Sequence, residues 1–348
     1  MPVLVSILIC TRNRLPALKE TLRSMEMLVF PESLEAELVI VDNGSTDGTG
    51  HWARQASMPN MPVRVLEEYR QGVGWARTAA LRAARGDILL FTDDDVGVPP
   101  HWGIALCRPI LAGEADVVGG ASVLADTLQR PWMTGFHRAA LSSSEDMTPE
   151  DHPDPITISM AFSRRVLERV PAFDPELGPG SPCGAIEDVL FDRQLKTAGF
   201  RFAHVSDAPV VHHPSGDRLS RPAFLRAARA RGRSMAYIGY HWDHWTVERF
   251  THRTQGRQTW RHPYVVLLKR WAHLWGWRLL HVRAWRRSEG IARTEFGLVN
   301  LLSQIRQYLV ERQKARNYDH RGLVKRRGVL PDDPTRAMRE QASPSVGA

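Results

Sequence analysis

Phe91-Thr92-Asp93-Asp94-Asp95 places three carboxylates in a row at the end of the apolar run Ile88-Leu89-Leu90-Phe91. Bounded by Gly86-Asp87 and closed by polar residues, that run reads as a buried strand. Three adjacent acids repel one another, and no cation stands beside them in sequence. A divalent ion taking hard oxygen ligands would relieve the repulsion; a solvated turn of acids needs no ion. The triplet alone leaves both readings open.

Other clusters keep it company. Asp42 closes a second apolar run and opens Asp42-Asn43-Gly44-Ser45-Thr46-Asp47, a composition that suits an Asx turn followed by a helix cap. Asp42 itself, at a strand's carboxyl end, is placed to accept from a base N–H or a ribose hydroxyl. Thr11, Arg12 and Asn13 end the first apolar run and belong to the same edge. Gly72-Val73-Gly74-Trp75-Ala76-Arg77 has glycines that permit close backbone approach at a helix start, where N–H groups favour an anion. It lacks the third glycine and the strand context of a dinucleotide fingerprint. Arg77 is then available to a diphosphate or to nearby acids. Glu187-Asp188 opens a helix after Gly178-Pro179-Gly180-Ser181-Pro182-Cys183-Gly184, a run expected to be a mobile loop. The helix dipole alone favours acids there; a general base would need the same exposure to an acceptor. His212-His213 closes another short strand.

The elements that must position these residues alternate. Strands are expected at Val3–Cys10, Glu37–Val41, Val63–Leu66 and Ile88–Phe91, with helices over Leu15–Met27, Thr46–Ser57 and Val73–Ala84 between them. Strands apolar throughout, alternating with helices, indicate a parallel sheet covered on both faces. Ligands of such sheets bind at the carboxyl ends of the strands, where the polar clusters fall. Asp126–Pro155 reads as a loop over that edge. Then follow a strand over Ile156–Phe162, helices near Ser163–Arg169 and over Ile186–Ala198, and short strands at Phe200–Val205 and Pro209–His212. Gly199 is a helix C-cap.

Five segments taken together resemble family 2 of the inverting glycosyltransferases: Val-Ser-Ile-Leu-Ile-Cys-Thr-Arg-Asn-Arg from Val5, Val-Ile-Val-Asp-Asn-Gly-Ser-Thr-Asp-Gly-Thr from Val39, Gly-Val-Gly-Trp-Ala-Arg from Gly72, Phe-Thr-Asp-Asp-Asp from Phe91 and Ile-Glu-Asp-Val from Ile186. The resemblance covers roughly residues 3–220. It implies the GT-A fold of nucleotide-diphospho-sugar transferases, α/β with a mostly parallel sheet flanked by helices, and a nucleoside-diphosphate sugar as donor. It further implies that Asp42 binds the base, Asp93 the nucleotide sugar and Asp95 Mn2+ or Mg2+, with Asp94 beside them. Asp188 becomes the general base and Glu187 its orienting neighbour. His212, in a Val-x-His position, completes the metal or diphosphate site. The family's usual Ala-Arg-Asn is here Ala76-Arg77-Thr78, which keeps Arg77 and removes the Asn contacts.

Length and charge set the organisation. The 348 residues carry a net charge of +8, unevenly divided. Residues 1–217 hold 19 Lys and Arg against 29 Asp and Glu, and residues 218–348 hold 27 against 9, with seven of the eleven Trp. With the resemblance, which covers roughly residues 3–220, this division implies a catalytic domain over 1–220, with a nucleotide-sugar half to about 125 and an acceptor half from about 126. A basic, Trp-rich helical extension over 221–327 and a disordered tail over 328–348 would follow. In the extension, Tyr264, Leu267, Leu268, Trp271 and Trp275 recur at helical spacing beside Lys269, Arg270, His273 and Arg278. A second stripe runs Leu298, Leu301, Leu302, Ile305, Tyr308 and Leu309. Such helices either pack on the catalytic domain or lie in a membrane interface, with residues 260–290 facing an anionic surface. No nucleic-acid-binding motif accompanies the charge, so nucleic acid is not expected as a partner.

Three widely spaced cysteines without a CxxC pair argue against structural zinc or a disulfide framework and for a reducing compartment. The N-terminus reads as a strand, without the basic n-region of a signal peptide. No run of about 18 apolar residues is present to span a membrane. The expected location is cytoplasmic, with the inner face of the cell membrane as a site of peripheral attachment. A nucleotidyltransferase would need a glycine-rich loop after the first strand, where Thr11-Arg12-Asn13-Arg14-Leu15 stands. A non-catalytic nucleotide-sugar or membrane-binding module would have no use for Glu187-Asp188.

Overall fold

The computed structural model describes residues 2–147, 155–246, 263–282, 286 and 288–318. The expected tail over 328–348 and the side chain of Tyr264 lie outside them. One eight-stranded sheet organises the chain from Val3 to His212. Its strands are β1 (Val3–Thr11), β2 (Leu34–Asp42), β3 (Val63–Glu67), β4 (Ile88–Thr92), β5 (Val96–Gly97), β6 (Val117–Leu124), β7 (Ser159–Ser163) and β8 (Phe202–His212), in the order β3-β2-β1-β4-β7-β6-β8-β5. The β3-β2-β1-β4 half is parallel, as its helical crossovers demand. β7 runs antiparallel to both β4 and β6, and β5 antiparallel to β8.

Helices cover both faces. α1 (Leu15–Met25), α2 (Thr49–Ala53) and α4 (Trp102–Leu111) lie on one side, α3 (Val73–Ala83) and α6 (Glu187–Thr197) on the other. Alternation along the strands divides the core accordingly. Ile7, Ile9 and Ile40 pack with Leu18, Met25 and Trp102. Leu8, Val39 and Phe91 pack with Ala76, Ala80 and Phe191.

Several expected elements differ in extent. The helix expected over Thr46–Ser57 is only α2; its start is delayed by Gly48, with φ of 91°, and by Asp47, which accepts from the Thr49 amide at 2.9 Å. Ser163–Arg169 is a 3-10 helix over Arg164–Glu168 rather than an α-helix. The two short strands expected around residues 200–212 are one strand, β8, whose register against β6 shifts between Gly120 and Ser122. The stretch expected as loop from Asp126 contains a 3-10 turn at Asp126–Leu128 and α5 (Gly135–Ala140), where Thr134 and His137 form a capping box.

Beyond β8 the chain is helical: α7 (Arg221–His241), α8 (Pro263–Leu280) and α9 (Arg293–Glu311). Leu298, Leu302, Ile305, Tyr308 and Leu309 are buried, so this stripe is core. The α8 stripe divides: Leu267 turns toward the core, whereas Leu268, Trp271 and Trp275 are exposed. Buried Glu295 of α9 ties the three helices together, pairing with Arg221 of α7 and accepting from Arg278 Nε of α8 at 2.9 Å. The extension also reaches the acid pair's loop, because Tyr237 and Tyr318 both donate to Asp174, at 2.9 and 2.6 Å.

Candidate active site

A cavity of about 310 Å³ opens at the carboxyl ends of the parallel strands, and Thr11, Arg12, Arg77, Asp93, Asp94 and Asp95 line it. Thr11 ends β1 and the triplet follows β4; the pairing of Ile9 with Thr92 sets these ends side by side. Thr11 Oγ1 donates to Asp94 Oδ2 at 2.6 Å. Burial and the flanking acids push the Asp94 carboxyl up to about 7, although Arg14 and Thr11 favour its ionised form.

Asp95 has a different setting. The chain turns after the triplet into β5, and Val96 pairs with His212 at the end of β8. The His213 amide donates to the Asp95 carbonyl at 2.7 Å. That ladder sets His212 Nε2 3.5 Å from Asp95 Oδ1, with the two side chains 2% and 4% exposed. Burial opposes ionisation of Asp95, but His212 and the Arg14 guanidinium outweigh it and hold the carboxyl well below its ordinary range. Arg14 bonds Asp95 directly and lies 3.6 Å from Asp94.

The remaining sequence-selected residues are brought to the same edge in other roles. Arg77, only 7% exposed, pairs with Glu187 and reaches Asp93 at 3.3 Å, so of its two possible partners it takes the acids. Asp42 is held by Ser45, whose amide donates to Oδ1 at 3.1 Å and whose hydroxyl donates to the same oxygen. Its carboxylate serves the Asx turn and does not line the cavity. Asn13, with φ of 52°, accepts from the Thr46 amide at 2.7 Å and donates its own amide to Ser45 Oγ at 2.9 Å, joining the first two strand ends. Asn43 donates to the carbonyls of Glu68 and Arg70 and accepts from the Gly72 amide at 3.0 Å, which fixes the start of α3.

Glu187 and Asp188 open α6. The residue before them, Ile186, has φ of 55°, a conformation costly for a β-branched side chain. Glu187 is buried against Arg77, while Asp188 is part-exposed and accepts from the Val189 amide at 2.8 Å. Burial raises the Asp188 carboxyl above its ordinary value, with Arg77 opposing and Asp93 adding to the rise. The Gly/Pro run before it is closed by hydrogen bonds: Cys183 N to Glu176 O at 2.9 Å, and Val73 N to Pro179 O at 3.0 Å. Gly72 (φ +125°) and Gly180 (φ +80°) meet where the loop crosses the start of α3; a Cβ on Gly180 would sit 3.4 Å from Gly72 Cα. The positive φ at both positions favours glycine.

Two charged cavity residues escaped selection by sequence. Arg14 lies just past the polar end of β1, and its signal was a second arginine in Thr11-Arg12-Asn13-Arg14. Arg218 lines the cavity from the turn after β8, and burial lowers its affinity for a proton. Its only signal was proximity to His212.

A mixed sheet thus gathers acids, arginines and a histidine at one strand edge. Residues 6–170, a little under half of the chain, match the model of glycosyl transferase family 2. Glycosyltransferase AglE of Haloferax volcanii is 32% identical over 117 residues, 33% of this chain and 38% of that protein. Glucosyl-3-phosphoglycerate synthase of Mycobacterium tuberculosis is 36% identical over 118 residues, 29% of this chain and 33% of the relative. The chain thus spans little more than a third of the length of these curated relatives. The mannosyltransferase PcManGT of Pyrobaculum calidifontis, solved with GDP-Man and Mn2+, shares the fold. It has a TM-score of 0.53 at 19% identity, covering 89% of this chain and 88% of that one.

Proposed function

We propose that the chain is an inverting, metal-dependent glycosyltransferase that moves a sugar from a nucleoside-diphosphate sugar to an acceptor hydroxyl, in the synthesis of a polysaccharide, glycolipid or other glycoconjugate. The observation that carries this reading is the pairing of Asp95 with His212. His212 Nδ1 is 2.7 Å from the Leu141 carbonyl and donates to it, which leaves Nε2 facing Asp95. With Nε2 protonated the two form an ion pair; with Nε2 deprotonated they present two ligands to a cation, and a backbone-anchored imidazole is the arrangement that metal-ligating histidines use. Asp95 and His212 would hold Mn2+ or Mg2+, and the ion would offset charge gathering on the departing diphosphate. Among the described residues no group of three or more His, Cys, Asp or Glu is arranged to hold an ion. Two protein ligands suit an ion whose remaining positions go to phosphate oxygens and water. The GDP-Man and Mn2+ of the mannosyltransferase with this fold support the same reading.

In this reading Asp93 receives the nucleotide's ribose or sugar, and Arg12, Arg14 and Arg218 face the diphosphate. The part-exposed Asp188 takes the acceptor proton while Arg77, clamped by Glu187, fixes the two acids relative to Asp93. A single in-line displacement inverts the anomeric carbon, and positioning both reactants supplies much of the rate. Residues 1–220 form the catalytic unit, supported by the family match over 6–170, and the base contact is assigned to the neighbourhood of Asp42 rather than to its occupied Oδ1. The basic extension suits an acceptor presented at an anionic membrane surface, with the enzyme peripheral on the inner face of the cell membrane. The test is incubation with UDP-, GDP- and dTDP-sugars, Mn2+ and hydroxyl acceptors, following nucleoside diphosphate release and product stereochemistry by NMR. Transfer with inversion supports the reading; retention of configuration overturns the single-displacement mechanism.

A further inference from the structure

Away from the sheet edge, α8 presents a second surface with its own chemistry. Val265, Leu268, Trp271, Trp275 and Leu279 follow at intervals of three or four residues, so they share one face. All five are exposed, Leu268 at 66% and Leu279 at 70%. The helix's other side buries Leu274 against the core formed by Phe224, Leu298 and Leu302. An apolar stripe of this length facing outward marks an interaction surface. Among the described residues no helix is long and apolar enough to cross a membrane.

Charge indicates what the stripe meets. The α8 sequence contains Lys269, Arg270 and Arg278 and no acid. Trp271 and Trp275 also wall a cavity of about 210 Å³, into which α7 contributes Arg229, α8 Arg278 and α9 Arg306. Arg278 is committed to Glu295 and lies over the Trp275 ring at 5.3 Å. Among the described residues no carboxylate is within ion-pair distance of Arg229 or Arg306. A second copy docking through α8 would bring like charges together. A surface of phosphates over acyl chains matches both features, with cations meeting headgroups and Trp sitting at the boundary.

We propose that α8 lies in the interface of an anionic membrane and that Arg229 and Arg306 hold the phosphate of a phospholipid headgroup in the cavity beside Trp271 and Trp275. This deepens the membrane-proximal reading given above and rests on it. The test sediments the full chain with vesicles of phosphatidylcholine alone and of phosphatidylcholine mixed with phosphatidylglycerol, with donor hydrolysis measured in parallel. The wild type binds only the anionic vesicles, with a blue shift of Trp emission. Both Arg229→Gln/Arg306→Gln and Leu268→Asp/Leu279→Asp weaken partitioning at least about tenfold, and both keep donor hydrolysis and the wild-type melting temperature. Failure of the wild type to bind anionic vesicles overturns the proposal. So does binding that either double variant leaves unchanged, or a solution dimer that Leu268→Asp/Leu279→Asp dissociates. Vesicle binding without donor hydrolysis would count against the glycosyl-transfer reading alone, and hydrolysis without vesicle binding against this proposal alone.

Discussion

His212 turns Nε2 toward Asp95 Oδ1 at 3.5 Å while the Leu141 carbonyl holds its Nδ1 at 2.7 Å. One residue thus links the end of β8, the end of α5 and the acidic triplet, and the link depends on the short β5–β8 ladder. Replacing His212 with Ala should weaken Mn2+ binding by about 10–100-fold and leave the fold intact. Isothermal titration with Mn2+ in the presence of a nucleoside diphosphate measures this; unchanged affinity removes His212 from the ion's ligands.

Asp188 is assigned the proton transfer, so Asp188→Asn should lower kcat by about 10²–10⁴-fold while donor affinity changes little. Only the ionised carboxylate accepts a proton, and burial raises this group above its ordinary value. The rate should therefore fall with decreasing pH in a range above that of a surface aspartate, and plateau at higher pH. A pH–rate profile of wild type and Asp188→Glu checks the sign.

Arg77 joins Glu187 of the acid pair to Asp93 of the triplet. Arg77→Ala strands Glu187 in a site where it is 4% exposed, a loss expected to cost about 3–5 kcal/mol. Urea unfolding should show that destabilisation in Arg77→Ala and much less of it in Arg77→Ala/Glu187→Gln. Equal losses would mean that the pair contributes nothing as a pair.

The strand ends were legible because the chemistry of a parallel sheet concentrates polar residues there, and the runs ending at Thr11, Asp42 and Thr92 announce themselves by composition. The triplet was legible for the same reason, whereas Glu187-Asp188, which opens α6, stood out by its Gly/Pro loop and by the resemblance. Arg14 and Arg218 were not: their place depends on how the turns after β1 and β8 fold back, which no local pattern encodes. Asp42 carries two signals at once. Its position at a strand end suggests ligand binding, and Ser45 three residues later draws Oδ1 of the same carboxylate into a turn. In α8 the 3.6-residue period identified the helix and its apolar residues, yet only the packing of Leu274 reveals which side faces inward.

The helical extension should lose stability in acid through Glu311. Burial opposes its ionisation, but hydrogen bonds from His241, Lys314 and Gln307 outweigh this and hold its carboxyl at about 2, against an ordinary 4.5. A depressed carboxyl contributes stability above the unfolded value, and that contribution is lost as pH falls toward the folded one. About 3 kcal/mol should therefore disappear between about pH 5 and pH 2. Glu311→Gln should flatten the stability profile in that window; an unchanged slope assigns the acid sensitivity elsewhere.

The central claim is that the triplet edge binds a nucleoside-diphosphate sugar through an ion held by Asp95. The most direct measurement is thermal stability of the purified chain against UDP-, GDP- and dTDP-sugars, with Mn2+ and then with EDTA, in wild type, Asp95→Asn and Asp188→Asn. The account predicts Mn2+-dependent stabilisation by one nucleotide family, lost in Asp95→Asn and kept in Asp188→Asn. No stabilisation by any donor, or stabilisation that EDTA and Asp95→Asn leave unchanged, would contradict it.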